Sequence, residues 1–172
     1  IEPRAIQWSL LFFCCLHHPT VMFRKSIYSS TGGYSVYFIH AEDYEFWLRI
    51  SSGTNIANLP DKLVYIRKHG KNITNLHRET QQRNANIASQ SAVSNILQKR
   101  ISLPVIQALR YPHDISNKKY VIESADLLQN VYRIYCKKYA LSNSEKKHIR
   151  EDAARRMEAL AIASLRNNHI AL

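Results

Sequence analysis

The stretch that most constrains the fold is His40-Ala41-Glu42-Asp43-Tyr44-Glu45-Phe46-Trp47-Leu48-Arg49-Ile50. At helical spacing Asp43, Phe46, Trp47 and Ile50 fall at i, i+3, i+4 and i+7, on one face. Three of these are large and apolar, so the face packs inward, and a carboxylate heads the same stripe. Glu42, Glu45 and Arg49 take the adjoining, exposed face, with Glu45 to Arg49 in the favourable i, i+4 order for an ion pair. On these residues alone Asp43 has a plain explanation. It is a first-turn acid that complements the helix dipole, an effect of ~0.3–1 kcal/mol. Ser51-Ser52-Gly53 closes the helix, and Gly53 suits a left-handed C-cap.

Upstream, Glu2-Pro3 opens a helix expected to run to Cys14 or Cys15, and His17-His18-Pro19 stops it. Thr20-Val21-Met22-Phe23 reads as a short buried strand and Arg24–Ser30 as a short helix, broken by Thr31-Gly32-Gly33. Downstream, Asn55–Asn58 and Leu63–Arg67 read as strands separated by the Pro60-Asp61 turn. After Thr74 the pattern becomes helical. From Asn75 to Arg100 there is neither Gly nor Pro, with Ile87, Ser91, Ser94 and Leu97 or Gln98 on a weak face, and Leu103-Pro104 interrupts the run. One helix is expected from Lys119 to Tyr139, with a core stripe of Leu127, Leu128, Val131, Ile134 and Tyr135. A second is expected from Ser142 or Ser144 to Asn167, and Ser144-Glu145-Lys146-Lys147 does not make a capping box. The expected boundaries are 1–74 for a mixed α/β part and 75–172 for a helical extension.

The chain carries a net charge of +11 over 172 residues, which suits an anionic partner without choosing one. The clusters Lys137-Lys138, Lys146-Lys147 and Arg155-Arg156, near Tyr132, Tyr135 and Tyr139, allow a nucleic-acid reading. The tyrosines sit at helical spacing and are more simply core, and the charges are mixed with Glu145, Glu151 and Asp152, as on a solvated helix. A non-catalytic basic helical binding or scaffold module, contacting nucleic acid, is therefore the alternative to an enzyme. Cys14, Cys15 and Cys136 make no disulfide framework, which points to the cytoplasm or the cytosolic face of a membrane. The apolar run Ile6–Leu16 is shorter than the ~20 residues of a spanning helix and lacks the features of a signal peptide. Eight histidines offer no zinc-ligand spacing, and there is no P-loop, GxGxxG, GxSxG or HExxH motif. Asn72-Ile73-Thr74 is a glycosylation sequon of little weight.

Taken together, His18-Pro19-Thr20-Val21-Met22-Phe23-Arg24, Gly32-Gly33-Tyr34, Ala41–Arg49, Leu63–His69 and Ile73-Thr74 follow one another in a telling order. They resemble the C-terminal half of the catalytic domain of family 2 glycosyltransferases, which have the GT-A fold. The resemblance covers residues 6–74. It implies an α/β fold, a small mixed sheet with helices, followed by the helical extension. It also implies inverting transfer of a sugar from a nucleotide-sugar, with a UDP-sugar as the expected donor, to the hydroxyl of an unidentified acceptor. Asp43 takes the place of the catalytic base. Glu42, His18, Thr20, Gly32, Gly33, Tyr34, Trp47 and Arg49 would line the substrate pocket, the glycines allowing close backbone approach.

A divalent metal, Mn or Mg, is expected in the full-length parent, and His69 resembles a late histidine that helps hold it. The chain departs from the family's pattern: it has neither the Asp-x-Asp metal motif nor the preceding βαβ nucleotide-binding region, and in addition Ser35 stands where an Asp often follows Gly-Gly-Tyr. The motif and the nucleotide-binding region are expected upstream of Ile1, so the isolated piece is expected to be inactive.

Overall fold

The computed structural model describes residues 2–67, 76–114 and 116–166. These residues form two compact units, Ile1–Ser89 and Gln90–Leu172. The expectation of a mixed sheet is overturned, because the described residues are helical and contain no strand.

In the first unit, α1 spans Pro3–Leu10, α2 spans Lys25–Ser30 and α3 spans Glu42–Ser51. A 3₁₀ turn occupies His18–Thr20. Proline in the first turn opens α1, where a missing N–H is harmless. The helix ends earlier than its apolar run because its last carbonyls find partners elsewhere. The Tyr44 hydroxyl donates to the Leu10 carbonyl at 2.6 Å, and the Ser89 hydroxyl donates to that of Leu11 at 2.5 Å. These bonds satisfy carbonyls that a continuing helix would have used. Trp8, Leu10 and Phe12 are buried, α1 packs on α3, and Phe46 and Trp47 are fully buried.

The three expected strands fail for one reason. A strand needs a neighbour for its N–H and C=O groups, and propensity does not supply one. Thr20 belongs to the 3₁₀ turn, Val21–Phe23 is irregular and Met22 is 96% exposed, so this is no buried strand. Asn55–Asn58 and Leu63–Arg67 are irregular and almost wholly exposed. Gly53 does not adopt the left-handed conformation; α3 ends in an ordinary right-handed turn at Ser52.

The helix α4, Arg78–Leu97, begins in the first unit and ends in the second. Its inward face is not the one expected. Ala85, Asn86, Ala88, Ser89 and Val93 are buried, whereas Ile87 is half-buried and Ser91 exposed. Small side chains fill this face, so periodicity of large apolar residues misses it.

In the second unit, α5 (Leu103–Arg110) packs on α6 (Lys118–Lys138), and α6 packs on α7 (Asn143–Arg166). Pro104 opens α5 instead of only interrupting a helix, again as a first-turn residue. Leu127, Leu128, Val131 and Tyr135 are buried as the stripe requires, joined by Val121 and Ser124, while Ile134 is half-buried. A capping box does start α7, but its cap is Ser142 and not Ser144. The Glu145 N–H donates to Ser142 Oγ at 3.1 Å, and the Ser142 N–H donates to Glu145 Oε2 at 3.0 Å.

Candidate active site

The first turn of α3 carries Glu42, Asp43 and Glu45, favourable charges at a helix N-terminus. His40 precedes it at φ 64°, a left-handed conformation that histidine tolerates better than most residues. Two side chains of α4 hold this bend. Gln81 Nε2 donates to the His40 carbonyl and Asn84 Nδ2 to that of Ile39, each at 2.9 Å. The first residues of α3 are thereby fixed by bonds that sequence spacing does not foretell.

Asp43 is neither in bulk solvent nor sealed away, its side chain being 24% exposed. Its Oδ1 accepts from the Tyr44 N–H at 2.7 Å, and its Oδ2 lies 3.8 Å from His18 Nδ1. Burial pushes the Asp43 carboxyl above the usual carboxylate range, opposed by the Tyr44 N–H and by the charge of His18. On the far side of the imidazole, His18 Nε2 is 3.0 Å from the Tyr34 hydroxyl. Burial raises the Tyr34 phenol, and the nearby Asp43 charge adds to that rise.

Aromatic rings support this polar line. Tyr34 meets Phe46 edge-on at 4.9 Å between centroids, and His18 stands edge-on to Trp47 at 6.1 Å. Phe23 closes against Phe46 and Trp47. Trp47 is fully buried, and among the described residues its Nε1 has no hydrogen-bond partner. It backs the histidine rather than presenting a surface.

The glycine loop is shaped by Tyr28 and Arg49. Gly32 and Gly33 have φ of +78° and +69°, which only glycine adopts without strain. A Cβ at Gly33 would come within 2.5 Å of the Tyr28 ring. The close approach there is to this protein's own tyrosine. Arg49 donates to the Thr31 carbonyl at 2.5 Å and to that of Gly33 at 2.7 Å, while Glu45 accepts from it twice, at 2.8 and 2.9 Å. The Glu45 side chain is 16% exposed, so the pair is a clamp on the loop and not the solvent-facing bridge the sequence suggests.

His18, Tyr34, Asp43 and Trp47 thus come together, and Gly32, Gly33 and Arg49 build the loop that carries Tyr34. Thr20 is exposed and donates to the His17 carbonyl at 2.8 Å; Glu42 is half-buried beside Asp43. His69 lies outside the described residues. Among the described residues no three His, Cys, Asp or Glu side chains gather as metal ligands, so this donor set does not itself fit a divalent ion. Tyr28 and the clamping role of Arg49 escape sequence reading, although Glu45 and Arg49 at i, i+4 are a partial signal.

Relatives similar to parts of this sequence carry glycosyltransferase names. Over 104 residues the chain is 38% identical to the bifunctional glycosyltransferase pgtA of Dictyostelium discoideum, covering 57% of this chain and 13% of that protein. It is 43% identical over 63 residues to the amylovoran biosynthesis glycosyltransferase AmsE of Erwinia amylovora, 36% of this chain and 23% of that one. An uncharacterized glycosyltransferase of Haemophilus influenzae is 28% identical over 116 residues, 64% of this chain and 36% of its own length. The chain is related to glycosyltransferases. It spans between 13% and 36% of the length of these relatives. No protein-family model and no solved structure matches it.

Proposed function

We propose that the chain carries the catalytic base of a family 2-type inverting glycosyltransferase. Asp43 accepts the proton of an acceptor hydroxyl. The freed oxygen bonds to the anomeric carbon of a nucleotide-sugar, a UDP-sugar in this reading. The bond from that carbon to the phosphate oxygen breaks on the opposite face, and the nucleoside diphosphate leaves. The observation that carries the reading is the Asp43 carboxylate, a quarter exposed on a rigid helix start, with burial raising its pKa. A base that is reachable and whose pKa is raised by burial serves proton abstraction better than an ordinary solvated carboxylate. The glycosyltransferase names of the relatives support the reaction class.

A Mn or Mg ion in the full-length protein would need ligands beyond the described residues. Three cysteines outside disulfides support a location in the cytoplasm or at the cytosolic face of a membrane; no described helix is long and apolar enough to cross one. The nucleic-acid alternative loses part of its basic surface, because Asp152 holds Arg156 at 2.7 Å.

The test is Asp43→Asn in the full-length protein, which keeps size and helix start but removes proton acceptance. We expect kcat to fall by ~10²–10⁴-fold with donor affinity unchanged. Full turnover with asparagine at this position would remove Asp43 from the chemistry.

A further inference from the structure

We propose that Tyr34, His18 and Asp43 form a polar relay in which Tyr34 fixes the tautomer of His18, and His18 is a positioning residue for the carboxylate. The inference rests on the reading of Asp43 as the base. Its geometry is the line already described: hydroxyl to Nε2 at 3.0 Å, then Nδ1 to Oδ2 at 3.8 Å.

Chemistry selects the arrangement of protons along that line. An ionised carboxylate only accepts hydrogen bonds, and a neutral imidazole has one N–H to give. With the proton on Nε2, the bare Nδ1 would set its lone pair against those of Asp43. With the proton on Nδ1, the ring presents a donor to the carboxylate, and the bare Nε2 accepts from the Tyr34 hydroxyl. Both ends are then satisfied, and the phenol acts as the donor that holds the ring in place. The separation of 3.8 Å exceeds a hydrogen bond, and catalytic contacts in ligand-free enzymes commonly tighten when substrate arrives. The aromatic wall makes the line specific, since Trp47 and Phe46 stand edge-on behind His18 and Tyr34. The other titratable groups near it are Glu42 on α3 and Tyr28 on α2. The relay also accounts for the Arg49 clamp, which sets the loop from which Tyr34 projects.

The ¹⁵N-labelled chain tests the tautomer directly, by ring ¹⁵N–¹H correlation of His18 at a pH where the imidazole is neutral. The expected ring is the Nδ1–H form, and Tyr34→Phe should return it toward the Nε2–H form that free histidine favours. An Nε2–H ring in the parent chain, or a tautomer indifferent to Tyr34→Phe with the rest of the spectrum unchanged, overturns the proposal. In the full-length transferase, His18→Gln should lower kcat and move the acid limb of its pH profile upward by roughly 0.2–0.7 pH unit, as the carboxylate loses its counter-charge. A variant that lowers kcat while the limb stays in place marks His18 as structural support and ends the relay. The two readings fail separately: the tautomer is measured without any sugar transfer, and Asp43→Asn tests the base without reference to His18.

Discussion

The unit ending at Ser89 holds helices of 8, 6 and 10 residues and the first part of α4, whereas α6 and α7 of the other unit run for 21 and 24. Helices of one to three turns are not stable alone. In the first unit the short helices are held by side chains that reach main-chain carbonyls, Tyr44 and Arg49 from α3 and Gln81, Asn84 and Ser89 from the longer α4. The long helices α6 and α7 close chiefly on an apolar stripe through Leu128, Val131, Tyr135, Ile149 and Leu160. The difference teaches where precision is required. Apolar packing tolerates small slips, but directional bonds to the backbone fix a loop in one place, which is what a carboxylate with a proton to remove requires.

That contrast can be broken or sharpened by substitution. The largest effect on stability should come from Tyr135→Ala, which empties a fully buried ring position in the helical unit. Denaturant unfolding should report a loss of ~3–5 kcal/mol, as for other buried aromatics. A loss below ~1 kcal/mol would mean that the stripe does not govern that unit.

Next is Glu45→Gln, which strips the charged partner from Arg49 while the guanidinium still faces two carbonyls. Breaking a charge-assisted pair of this kind costs ~1–3 kcal/mol. Hydrogen exchange should show the loss concentrated at Thr31–Tyr34. A silent result would return the pair to the status of an ordinary surface bridge.

Ser142→Ala removes one half of the capping box and should cost about 1 kcal/mol, read as fraying of the first turn of α7. Equal fraying at its far end would point to a general weakening instead.

The smallest effect is a matter of sign. Burial raises Asp43 in the folded chain, so on increasing pH the unfolded chain ionises first. Stability contributed by this group should then fall as pH rises from the ordinary carboxylate value to the raised one, and stay level above it. Asp43→Asn should abolish that decline and leave the chain slightly more stable at neutral pH. A residue kept for structure would show the opposite.

Legibility followed the same division. The acid-headed helix was readable because Phe46, Trp47 and Ile50 repeat at helical spacing, and α6 because its stripe is long. The strands were not, since Val64, Tyr65 and Ile66 state a preference that only a neighbouring strand could realise. The buried face of α4 escaped because alanine and serine carry little hydrophobic signal. At the site, the pairing of His18 with Asp43 and Tyr34 joins residues far apart in sequence, so the motif order indicated proximity but not which nitrogen faces which oxygen. The cap at Ser142 was legible: Ser-x-x-Glu is present, two residues before the serine that draws the eye.

Leu63, Val64, Tyr65 and Ile66 stand in the open, 47–101% accessible, as four successive sticky residues of high β-propensity. Lys62 and Arg67 bracket them. A run of this kind is what one chain recruits from another at high concentration, and flanking cations are the usual deterrent to such stacking. We expect these two positive charges to slow self-association of the purified protein. High salt, which screens them, should hasten it.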